Sequence, residues 1–144
     1  MLEKYRMPLL ELAGGLGGGV LVGVLGAMLG RELGGWLFPP IGDIVDNFGD
    51  LIGAVLGFGL SYPVGVALGL ALLRRGLKRP GAFWPALAGA VLGAGLVLAL
   101  LVLLRLSEYP IVLQALFIGL PPFVALGGVR LWVHWTAARQ ATQG

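Results

Sequence analysis

The chain is predicted to be an all-α, polytopic membrane protein: one domain of four transmembrane helices in a glycine-rich bundle, with both termini cytoplasmic. Three observations predict this. Four stretches carry no charged residue, namely Leu12–Gly30, Leu51–Leu73, Pro80–Leu104 and Tyr109–Val129. As helices they would be roughly 29 to 38 Å long at about 1.5 Å per residue, against a hydrocarbon core of about 30 Å. The composition is 58% hydrophobic and 12% charged, where a soluble domain is about a quarter charged. Lipid offers no partner for a backbone N–H or C=O, so each crossing must be a helix that satisfies its own hydrogen bonds.

The third observation is the placing of the basic residues, which orients a membrane chain. Lys4 and Arg6, then Arg74, Arg75, Lys78 and Arg79, then Arg130 and Arg139 fall on one side of the spans, and only Arg31 and Arg105 on the other. The first side is therefore expected to be the cytoplasm. Glu32, Asp43, Asp46, Asp50 and Glu108 lie opposite. Trp84, Trp132 and Trp135 are expected at the inner interface, with Trp36 and Tyr109 at the outer one, as amphipathic rings at headgroup depth. The bias also speaks against an antiparallel dual-topology dimer, which needs balanced charge. The heavy use of Gly, Ala, Leu and Arg suggests a GC-rich bacterial gene and hence an inner (plasma) membrane location. The first apolar run is longer than a signal-peptide core, so no cleavable leader is expected. The absence of cysteine excludes disulfides and thiolate chemistry.

The predicted spans cover about 9–31, 50–73, 81–105 and 110–131. In span 1, Gly15, Gly19, Gly23, Gly26 and Gly30 follow steps of four, four, three and four, a single stripe along a helix that Gly14 and Gly18 widen. Such a glycine zipper lets another backbone approach closely. Span 2 has Gly49, Gly53 and Gly57, then Gly65 and Gly69, and span 3 has Gly89 and Gly93. A second copy or a subunit of a larger complex would pack on such glycine faces. The segment Arg31–Gly49 reads as the one sizeable non-membrane stretch, with Pro40 placed to start a helix that leads into span 2. Spans 2 and 4 are expected to be interrupted, span 2 at Pro63 and span 4 at Pro121-Pro122, since an interior proline removes a backbone bond and clashes with the preceding turn.

Four constellations could carry chemistry. Asp43, Asp46, Asn47 and Asp50 share one helical face by their spacing, which would suit a hard cation or form an outward mouth. The row departs from the aspartate motif of CDP-alcohol phosphotransferases, which places glycine after its second aspartate where Asn47 stands here. Ser61 and Tyr62, just before Pro63, lie near the middle of span 2. Gln114, Pro121 and Pro122 lie in span 4, where the prolines leave the carbonyls near Phe117 and Ile118 without donors. Together with Asn47 these residues outline a substrate pathway between spans 2 and 4, because kinked helices with freed carbonyls build many transporter sites. His134, in a basic aromatic segment, reads as an interfacial anchor.

No charged residue lies within the four uncharged runs that form the body of the spans. Glu11, just before the uncharged run of span 1, comes nearest. Proton-coupled carriers keep an intramembrane ionisable group, so passive or weakly coupled transport of a small solute, ion or lipid is the leading expectation. The alternative is a non-catalytic structural or assembly subunit of a larger membrane complex. A weaker one is a lipid-headgroup enzyme acting at Asp43, Asp46 and Asp50. No catalytic set, cofactor site or nucleic-acid surface is expected, and the partner common to every reading is the bilayer.

Overall fold

The computed structural model describes residues 3–37, 48–79, 83–104 and 110–141. Four helices make up the described chain: α1 (Glu3–Leu37), α2 (Phe48–Gly76), α3 (Phe83–Leu104) and α4 (Pro110–Ala141). All four are long and apolar enough to cross a membrane, which points to a multi-pass membrane protein. Large apolar side chains such as Leu21, Leu25, Val55, Leu92 and Leu131 are directed outward and exposed. In water that would be a continuous apolar surface of the kind monomers avoid. Against acyl chains it is the matched surface.

The helices form two antiparallel hairpins, α1 with α2 and α3 with α4. The first is held by glycine against glycine. Where a Cβ would stand on Gly18, Gly26, Gly30 and Gly34, the carbonyl oxygens of Gly65, Gly57, Gly53 and Gly49 already stand, and the same holds in reverse at Gly53, Gly57, Gly65 and Gly69. Each pair of numbers sums to 83, Gly14 with Gly69 included, as an antiparallel register requires. The step of four on both helices advances about 6 Å per pair. At the one missing step, Val22 and Ser61 fill the seam: a Cβ on Gly65 would lie 2.7 Å from the Val22 Cβ, and Ser61 lies against Gly26.

A second row on α1, Gly15, Gly19 and Gly23, performs a different task. It makes room for large side chains of α2 rather than for its backbone. A Cβ on Gly19 would lie 2.8 Å from both Tyr62 Cε2 and Val66 Cγ2, one on Gly23 would lie 2.8 Å from Phe58 Cε2, and one on Gly15 would lie 3.2 Å from Leu70 Cγ. The stripe read from the sequence is thus two rows about 100° apart, as neighbouring positions on a helix are. Both glycine faces of α1 and α2 are used within the chain. The second hairpin closes in the same way at fewer points: a Cβ on Gly89 would meet the Ala125 Cα at 2.7 Å, and one on Gly93 the Pro121 Cα at 2.7 Å. Ala86 and Ala90 of α3 join Val66, Ala67 and Leu70 of α2 and Ala125 and Val129 of α4 in the buried core.

Two expectations about the elements are corrected. α1 does not stop at Arg31 but runs on to Leu37, because the close contact continues through Gly34 to Gly49. Spans 2 and 4 are not interrupted. α2 is one helix with Pro63 inside it, and α4 is one helix with Pro121 and Pro122 inside it. A helix can pass through prolines when its neighbours hold it on both sides, and Pro63, Pro121 and Pro122 are all buried. The helix start expected at Pro40 lies outside the described residues.

The seam leaves no slack, so even one methyl group should be felt. Gly18→Ala would put its Cβ 2.7 Å from the Gly69 Cα, and should lower stability in detergent by about 1–3 kcal/mol, the usual cost of overpacking. Gly17, one residue earlier, has open space beside it. There the same change should be neutral or stabilising by up to about 1 kcal/mol through helix propensity. Equal unfolding midpoints for the two variants would contradict the close approach.

Candidate functional site

Tyr62 is the central residue of α2 and is fully buried. Its hydroxyl donates a hydrogen bond to the backbone carbonyl of Ile118. That is the carbonyl whose helical donor would have been the N–H of residue 122, which proline lacks. The freed acceptor is therefore capped by a side chain from α2. The Tyr62 ring packs among other rings. Phe58 stacks on Tyr62 at 5.3 Å between centroids, and Phe117 lies 6.2 Å from Tyr62 and 6.3 Å from Phe58. Pro121 and Pro122 are buried beside them.

The pathway drawn from the sequence is only partly assembled here. Tyr62 reaches α4 at Ile118, just before Pro121 and Pro122, and all three side chains are buried. Ser61 does not join them: about 100° round the helix from Tyr62, it lies against Gly26 on the α1–α2 seam. Gln114 falls within α4, but its side chain lies outside the described residues, and so does Asn47. The expectation of freed carbonyls at Phe117 and Ile118 is half right, since the proline effect is there and Tyr62 answers it at Ile118.

At the end bearing the α1–α2 turn, Arg31 Nε lies 3.2 Å from Asp50 Oδ2. Asp50, expected on the acidic face with Asp43 and Asp46, thus has a cation beside it. Extending α1 carries Arg31 along the seam until it stands beside Asp50. Asp43 and Asp46 lie outside the described residues, and among those described no group of three or more His, Cys, Asp or Glu could hold a metal ion.

The opposite end holds the site that the sequence reading missed. Glu11 is 2% exposed, and its Oε1 lies 3.4 Å from Nη1 of both Arg74 and Arg79. Glu11 opens the buried row that continues through Gly15, Gly19 and Gly23, so it points at the end of α2 by the same geometry that seats Tyr62. Arg79 is brought back by the way α2 ends. Lys78 adopts φ 54°, the N–H of Arg79 bonds to the carbonyl of Arg74 at 2.9 Å, and that of Lys78 bonds to the carbonyl of Arg75 at 3.1 Å. This crossed pair with a left-handed residue is a Schellman cap. It folds the chain over the helix end and sets Arg79 beside Arg74. From α4, Arg130 and His134 complete a cavity of about 300 Å³ with Glu11, Arg74 and Arg79. His134, expected to be only an interfacial anchor, also lines an adjoining groove of about 1340 Å³ between α3 and α4. That groove is apolar, with Trp84, Leu92, Leu131 and Trp132 on its walls and Gly89, Gly127 and Gly128 beneath them.

One signal could have found this cluster. The antiparallel register that pairs Gly14 with Gly69 sets Glu11 opposite the first basic residues after span 2. Reading depth from uncharged runs alone leaves those charges outside the bundle. No known protein family, characterised protein or solved structure matches the chain, so its function is argued from these sites.

Two substitutions test the geometry. Tyr62→Phe keeps the ring but leaves the Ile118 carbonyl without its donor, and should cost about 1–3 kcal/mol. Stability equal to wild type would mean the carbonyl finds another partner. Glu11→Gln removes the carboxylate beside Arg74, which is 6% exposed, and should cost about 3 kcal/mol, as breaking a buried pair does. Glu32→Gln at an exposed position of the same helix should change little, and similar losses in both variants would refute the pairing.

Proposed function

We propose that this chain is a non-catalytic structural or assembly subunit of a larger complex in a bacterial inner membrane, with both termini cytoplasmic. The reading rests on the seal between Tyr62 and Ile118. A solute carrier working between α2 and α4 needs polar groups left open to substrate at mid-depth. Here the one acceptor that proline frees and that is seen to be answered is taken by a tyrosine, within three packed rings. A dry, tightly closed bundle with an apolar exterior suits a part that is held in place by other membrane helices. The cytoplasmic placing of the termini is supported by the basic residues of the first, middle and last extramembrane segments, and by the scarcity of such residues elsewhere.

The chain contains no cysteine, which makes accessibility simple to measure. Val66 is fully buried, one turn from Tyr62, and Val66→Cys nearly conserves its volume. In native membranes this thiol should stay unreactive toward a small permeant maleimide until the protein is denatured. Trp36→Cys should react with an impermeant reagent on intact cells, and Gln140→Cys only after permeabilisation. In mild detergent the native protein should migrate as more than a single chain. Rapid labelling at position 66 would overturn the sealed interior and restore the transport reading. Labelling of position 140 from outside would overturn the orientation.

A further inference from the structure

We propose that the basic cavity at the end bearing both termini seats the phosphate of an anionic phospholipid from the adjoining leaflet, with one acyl chain lying in the α3–α4 groove. The site is separate from the Tyr62 seal and does not depend on the function proposed above.

Charge is the first argument. Three guanidinium groups, Arg74, Arg79 and Arg130, line the cavity with a single carboxylate, Glu11. Counted over these four side chains, the cavity carries an excess of two positive charges. Glu11 is shared by Arg74 and Arg79, and Arg130 has no ion-pair partner among the described residues. An exposed arginine needs none, but this one adds its charge to a cavity already rich in cations. The planar fork of a guanidinium matches a phosphate in two parallel hydrogen bonds, and its weak hydration makes it the cation best suited to a half-buried anion site. Basic pockets between transmembrane helices at the cytoplasmic face are a general means of holding anionic headgroups.

Shape is the second argument, and it selects a lipid over a free anion. The cavity of about 300 Å³ is large enough for a phosphate and part of its ester, and it does not stand alone. His134 lines both it and the groove, so a polar chamber passes into an apolar channel that opens sideways between α3 and α4. A soluble phosphate would use only the chamber. A phospholipid uses both, with its charge among the arginines and its chain against Trp84, Leu92 and Leu131. Depth agrees. Trp132 and Trp135 lie 5.9 Å apart on α4, with Arg139 stacked 3.6 Å over the Trp135 ring, the arrangement expected at headgroup level.

The test uses the full chain purified in a neutral detergent, with native mass spectrometry and thermal unfolding as readouts. Phosphatidylglycerol should bind with 1:1 stoichiometry and raise the midpoint, phosphatidylcholine of the same chain length should do neither, and millimolar inorganic phosphate should not displace the bound lipid. Arg130→Gln removes a charge that is outside the Glu11 cluster, and should weaken phosphatidylglycerol binding about tenfold, the loss of roughly one charge-assisted contact. Ala88→Trp, which fills the groove from an exposed position, should weaken it with the cavity intact. Equal binding of the two lipids, or wild-type affinity in both variants, would overturn the proposal. Displacement by inorganic phosphate would overturn the lipid assignment in favour of a soluble anion.

Discussion

The contact between α1 and α2 is the constraint on which the rest of the molecule depends. Between helices in lipid there is little hydrophobic drive, so association rests on packing and on polar contacts. Glycine at every fourth position on both helices, save the step at Val22 and Ser61, lets each backbone rest against the carbonyl oxygens of the other, where Cα–H groups can donate weakly. The gain per contact is small, but it repeats along most of α1. The contact also favours one register, because moving α1 back by one residue would bring Leu21 and Leu25 to the seam, and moving α2 on by one would bring Phe58 and Tyr62, where each backbone has room only for the other. That register then places everything else. It sets Phe58, Tyr62 and Leu70 into the second glycine row, Arg31 beside Asp50 at one end, and Glu11 beside Arg74 at the other.

The middle of the bundle follows from this placing. With no side chains on the facing row of α1, the rings of α2 sit deep, and Tyr62 reaches across to α4. There it meets the carbonyl that Pro122 has freed. In water such a carbonyl would be solvated and the proline would bend the helix. Away from water a free acceptor costs far more, so the proline and the tyrosine are best understood as one device. The prolines shape α4 and Tyr62 supplies the missing donor. This explains how two consecutive prolines sit in the interior of a helix that nevertheless stays continuous.

The spans could be read from the sequence because charge is so strongly excluded from lipid. Leu51–Leu73 and Pro80–Leu104 are bounded by a charged residue at each end, and the helices observed there differ mainly at their termini. The glycine spacing on α1 was visible too, and so was the loss of donors before Pro122. What could not be read was pairing. Gly15 and Gly18 look alike in a sequence, and only the partner decides that one receives a leucine side chain and the other a backbone. In the same way Ser61 and Tyr62 read as one polar motif at a single depth. Adjacent helical positions face different neighbours, however, and one belongs to the seam while the other belongs to the core. The cluster at Glu11 was overlooked because each of its members, taken singly, resembles an ordinary charge flanking a span.

That the buried charges gather at one end rather than at mid-depth has a physical basis in the same register. A carboxylate at the centre of a bilayer would need its cations there too, and the seam at that level has room only for Val22 and Ser61. One turn before Gly15 the helices approach their ends, where α2 can terminate in the Lys78 cap and turn Arg79 back on itself. Two arginines then reach one carboxylate from a single short stretch of chain, and the long stems of the arginines cover apolar surface while their heads stay together. Arg130 stands with them on the cavity wall, so that three cations line it with one anion. The fold thus ties α1, α2 and the turn that follows α2 together at Glu11, and leaves on the side of α4 an opening whose charge and shape suit the surrounding lipid.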